Sequence, residues 1–105
     1  MSSARRRVRA TPSFFADLDR QLPAERGPGG EPSTNDFQVF ELLRVIERFA
    51  VGFDDLPKLI PGRDDYRVLI AVGVLVPRFS VVGQLAPDGA VELLQLDIDL
   101  EAEWE

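Results

Sequence analysis

The stretch Tyr66–Leu100, YRVLIAVGVLVPRFSVVGQLAPDGAVELLQLDIDL, decides the fold. Its first part, Tyr66–Val76, is dense in Val, Leu and Ile and lacks a 3.6-residue period, so it reads as a central strand. Pro77 has no amide hydrogen and interrupts the run. Arg78–Ala86 then alternates, with Phe79, Val81, Gly83 and Leu85 on one side and Arg78, Ser80, Val82 and Gln84 on the other. Pro87-Asp88-Gly89 is a hairpin signal. Val91–Leu100 is the last strand. In its second half Leu94, Leu96, Ile98 and Leu100 are expected to face one way, and Gln95, Asp97 and Asp99 the other. The result is an antiparallel meander of three strands.

Upstream of the meander the period changes. Phe53–Asp65 reads as a loop, docked by Phe53, Leu56 and Leu59 and turned by Pro61-Gly62. A helix from about Asp36 to Val51 precedes it, with Asn35 and Gln38 spaced as a capping box and Gly52 as its stop. Phe37, Val39, Phe40, Leu42, Leu43, Val45, Ile46, Phe49 and Ala50 fill more than one stripe, which predicts burial on two sides. Glu41, Arg44, Glu47 and Arg48 form its wet face. Residues 23–36, PAERGPGGEPSTND, make a mobile internal loop. Thr11 and Pro12 start the first helix as cap and first residue. Phe14, Phe15, Leu18 and Leu22 give that helix an apolar side, and Pro23 ends it. Arg6–Ala10 is a short strand. The chain is thus expected to be one α+β domain over 1–105, ordered β-α-α-β-β-β, with two helices packed on one face of a small antiparallel sheet.

Composition limits the chemistry. The 105 residues include 12 Lys and Arg against 18 Asp and Glu, a net charge of −6, with no His and no Cys. A disulfide scaffold, thiolate metal site, Cys nucleophile and Ser-His-Asp triad are excluded. Pro28-Gly29-Gly30 lacks the strand-before, helix-after setting of a phosphate loop. Asp97-x-Asp99 is a weak cation motif, and no metal or other cofactor is expected. No apolar run approaches the ~18 residues of a membrane span, and the chain reads as soluble and cytoplasmic. Charge is polarised: residues 1–9 carry +4, and residues 97–105 carry −5, including the acidic tail 101–105.

The element order, the first-helix pattern T-P-x-F-F-x-D-L-x-x-x-L-P, the segment Leu59-Ile60-Pro61-Gly62-Arg63-Asp64-Asp65-Tyr66-Arg67 and the third-strand start Pro77-Arg78-Phe79-Ser80-Val81 together resemble the RelE/ParE toxin superfamily of bacterial toxin–antitoxin modules. The resemblance implies a toxin neutralised by a cognate antitoxin protein that wraps it. It implies one of two targets: mRNA cut on the ribosome, or DNA gyrase. Under the first, Arg67 and Arg78 match the family's strand arginines, with Tyr66 beside them as a catalytic candidate. Lys58 and Arg63 on the adjoining loop are the matching substrate-binding candidates.

The residues themselves leave this open. RNA cleavage needs cations where charge develops on phosphate, and Arg grips phosphate at two points. Arg67 and Arg78 meet that need only if both face outward; each could instead pair with Asp97 or Asp99 across the sheet. A Tyr at a strand start also serves as half-buried packing. Asp97 and Asp99 on an outer face would repel RNA, and a negative chain is not steered to a ribosome. A non-catalytic protein-interaction domain, as a degenerate toxin fold or a small α+β homodimer, is the alternative.

Overall fold

The computed structural model describes residues 5–101; the tail's Ala102–Glu105 lie outside the described residues. Strand β1 (Val8–Ala10) leads into helix α1 (Pro12–Gln21). Thr11 caps α1 by accepting a hydrogen bond from the Phe14 amide, and its hydroxyl donates 2.7 Å to the Leu93 carbonyl. Residues 23–33 are folded back on themselves: Thr34 N–H donates to Pro23 O at 2.9 Å, and the Arg26 guanidinium grips both oxygens of Asp36.

The second helix, α2 (34–52), is continuous but uneven. Thr34–Phe37 is α-helical, Gln38–Leu42 is a π-turn, and Leu43–Gly52 is α-helical again. Its capping box uses Ser33 and Asp36 rather than Asn35 and Gln38, each side chain bonding the other's amide. The helix therefore begins two residues before the expected start. Phe37, Glu41, Val45 and Phe49 are buried at four-residue steps. A four-residue step overshoots an α-helical turn, and the wider π-turn offsets that drift. Burial on two sides does not occur. Val39, Phe40 and Leu43 are exposed, Leu43 by 70%.

After a 3-10 turn (Phe53–Asp55), the segment expected to be loop contains a further strand, β2 (Lys58–Ile60). The turn at Pro61-Gly62, with Gly62 at φ 83°, starts β3 (Arg63–Ala71), three residues earlier than sequence pattern suggests. Strands β4 (Arg78–Leu85) and β5 (Val91–Asp99) follow. The sheet order is β1-β5-β4-β3-β2. The meander is antiparallel as expected, while β1 joins β5 in parallel register, so the sheet is mixed. A parallel partner is possible because the whole body of the chain lies between the two strands, with no hairpin to impose direction.

Both helices pack on one face. Phe14, Leu18, Phe37, Val45 and Phe49 meet Leu69, Phe79, Val81, Leu93 and Leu96. The Phe37 and Phe79 rings meet edge to face at 5.2 Å. Gly83 is required at the centre: a Cβ there would lie 2.5 Å from the Phe49 ring. Opposite Gly83, β5 bulges. Gly83 pairs with Leu93 and Val82 with Gln95, leaving Leu94 as the extra residue. The bulge switches phase, so Val91 and Leu93, then Leu96 and Ile98, take the helix side.

Candidate functional site

The sheet has a covered face and an open face, and register assigns each residue between them. Arg67 pairs with Gly83, Leu69 with Val81 and Ala71 with Phe79. All are on the helix side. Arg67 therefore faces inward, correcting the outward orientation its proposed catalytic role requires. It is buried, and its guanidinium donates to three backbone carbonyls: Asp64 and, on the 3-10 turn and just after it, Asp54 and Leu56, each at 2.9 Å. It lies over the Phe53 ring at 5.3 Å, which the Arg6 guanidinium also approaches, at 5.6 Å. Arg67 pairs with neither Asp97 nor Asp99.

Tyr66 and Arg78 do lie on the open face, with Val68, Ile70, Ser80, Val82 and Gln84. They are not brought together. Tyr66 sits opposite Gln84, six residues along β4 from Arg78, or roughly 20 Å at the strand rise. Arg78 is exposed, makes no ion pair among the described residues, and is in register with Asp99, next to the Ser80–Asp97 pair. Tyr66 is half-buried under the Arg63 guanidinium, 4.8 Å from its ring. Arg63 grips both Asp65 oxygens, at 3.0 and 2.9 Å, and holds that carboxyl down at about 2. Lys58 Nζ lies 2.7 Å from Asp64 and lowers its pKa. Each substrate-binding candidate is thus matched by a carboxylate. No group of three or more metal-ligating side chains occurs among the described residues.

A second location gathers residues that sequence pattern left on a wet helix face. Between α2 and β3 runs a groove of about 510 Å³, lined by Leu43, Arg44 and Arg48 from the helix and by Ile70 and Val72 from the strand and its exit. Its floor includes Glu41, which is buried, contrary to its expected place in solvent. One Glu41 oxygen accepts the Leu75 and Val76 amides, at 2.7 and 3.3 Å, and so ties the β3–β4 connection to the helix. The signal for this was present: Glu41 stands four residues from both Phe37 and Val45. Arg44 reaches the other Glu41 oxygen only at 3.9 Å, and Arg48 has no acidic partner among the described residues. Glu47 also lines the groove, with its carboxylate bonded to Arg5 at 2.6 Å. The groove can therefore offer apolar surface and two weakly engaged guanidinium groups.

Among the described residues no nucleophile, base and phosphate clamp come within reach of one reacting atom. Set against known proteins, the chain matches no family description, no curated protein and no solved structure.

Proposed function

We propose that this chain is a RelE/ParE-like toxin component of a bacterial toxin–antitoxin pair, and that it works by binding protein rather than by cutting RNA. The toxin assignment rests on the resemblance of the Thr11–Leu22 and Leu59–Arg67 segments and of the element order. The mode of action rests on one observation: α2 carries a second apolar side, Val39, Phe40 and Leu43, that the rest of the fold leaves exposed. Large apolar groups grouped on one side of a helix favour association. The buried, carbonyl-bound Arg67 and the separation of Tyr66 from Arg78 count against an endonuclease.

The test is expression in a bacterial host, alone and with the product of the adjacent reading frame. The proposal expects growth arrest by the intact chain, relief by the neighbour, a complex of the two on purification, and uncut transcripts. Arrest should persist in Arg78→Ala. Cleaved transcripts together with loss of arrest in Arg78→Ala would replace it with the nuclease reading. Arrest with gyrase inhibited would name the bound target. Neither arrest nor complex would remove the toxin assignment.

A further inference from the structure

Two strands of the sheet are only half covered along one edge, and the fold treats them differently. On β5, β1 reaches only Val91–Leu93. Beyond that point α1 takes the place of a strand, through residues four apart on one helix side. Ser13 donates to Leu94 O at 2.8 Å, Asp17 accepts the Leu96 amide at 3.0 Å, and Gln21 donates to Leu96 O at 2.7 Å and accepts the Ile98 amide at 2.6 Å. The open backbone of β5 is closed by side chains.

Among the described residues the β3 edge has no such closure. Strand β2 covers it from Arg63 to Arg67, and the last bond is Val68 N–H to Pro57 O at 3.0 Å. Backbone groups alternate sides along a strand, so the N–H and C=O of Ile70 point the same way as the Val68 amide, into uncovered space. Ile70 is 65% exposed. Facing this edge, α2 presents Arg44 and Arg48, again four residues apart, but neither bonds the strand. The pair stands out because most other cations are committed: Arg5, Arg6, Arg9, Arg20, Arg26, Lys58 and Arg63 each meet a carboxylate, and Arg67 meets carbonyls.

From this contrast we infer that the open half of β3 accepts an extended segment of a partner protein, added as a strand, in which carboxylates alternate with apolar side chains. Its backbone bonds Ile70. Its carboxylates face Arg44 and Arg48 on the helix side, and its apolar residues lie beside Ile70 on the open face. The inference rests on the protein-binding reading above and gives that partner its chemistry and its seat.

A short blocked peptide alternating valine and glutamate tests it, beside its lysine counterpart and a version with proline at the centre. The first should bind the intact protein and slow exchange of the Ile70 amide. The lysine and proline versions should not bind. Arg44→Glu with Arg48→Glu, both at exposed positions, should weaken the glutamate peptide by about tenfold or more, the loss of roughly one charge contact, and should admit the lysine peptide. Equal binding of both charged peptides, no effect of the double variant, or protection centred on β2 or β5 would overturn the inference. So would a dimer of the chain that the double variant dissolves, since the occupant would then be a second copy. If the peptide fails while the neighbouring product still forms its complex, the inference falls and the toxin reading stands. If the peptide binds while arrest and complex are both missing, the toxin reading falls and the strand seat stands.

Discussion

Arg67 and Arg78 are the same residue type on adjacent strands, and the fold gives them opposite roles. Arg67 brings a charge beneath the helices and donates to three backbone carbonyls there. Removing the guanidinium takes that donor from all three and opens space beside Phe53. Arg67→Ala should cost on the order of 3 kcal/mol, seen as a lower midpoint in urea. Arg78 is exposed and without an ion pair among the described residues, so Arg78→Ala should leave the midpoint within about 0.5 kcal/mol. This contrast decides how mutants are read: lost function in Arg67→Ala reports unfolding, whereas lost function in Arg78→Ala would report chemistry. The sequence could not separate them. Alternation places a residue on one of two faces, but which face is covered depends on register with Gly83, four strand positions from the nearest hairpin signal.

At the scale of elements, α1 does the work of an edge strand, and two substitutions test it. Asp17→Ala leaves the Leu96 amide without its acceptor and should cost about 1–3 kcal/mol, more than an ordinary surface change. Asp17→Asn keeps an acceptor oxygen but not the charge and should recover only part of that loss. Amide exchange at Leu96 is the direct measurement. Gly83→Ala forces a methyl against Phe49 and should destabilise by about 1–3 kcal/mol, with the disturbance transmitted to α2. Much of this layer was legible. The Thr11-Pro12 start, the Gly52 stop and the Pro87-Asp88-Gly89 turn (Gly89 at φ 89°) each carry their own local chemistry. Three features were not. The bulge at Leu94 exists because Gly83 and Phe49 fix the register from another strand. The β2 strand is three residues long, too short for a period. The single-sided burial of α2 reflects a missing neighbour, which no pattern within the helix can report.

For the whole molecule, the absence of His and Cys removes the side chains that ordinarily titrate between pH 5 and 8. The melting temperature should be nearly flat across that interval. Below it, the carboxylates act together. Asp17 is held below its ordinary value chiefly by the Leu96 amide, with Arg20 adding to it. Asp36 is held lower still by Arg26 and by the Ser33 amide. Asp64, Asp65, Asp88 and Glu47 are lowered by Lys58, Arg63, Arg9 and Arg5. A carboxyl whose folded pKa lies below its unfolded one stabilises the fold above the unfolded value, about 4, and loses that contribution as pH falls through the folded value. Every shift has this sign, so stability should decline from about pH 4 downward. The exposed pairs with Arg5, Lys58 and Arg63 are screened by water and salt and should contribute little. Asp17 and Asp36 are largely enclosed and should carry the effect. Asp36→Asn keeps the cap geometry but not the charge. It should therefore lower the melting temperature at pH 7 and shrink the difference between pH 7 and pH 3, with added salt changing that difference only slightly. A titration in which Asp36→Asn melts in parallel with the intact protein at every pH would show that the acid sensitivity belongs to the exposed pairs.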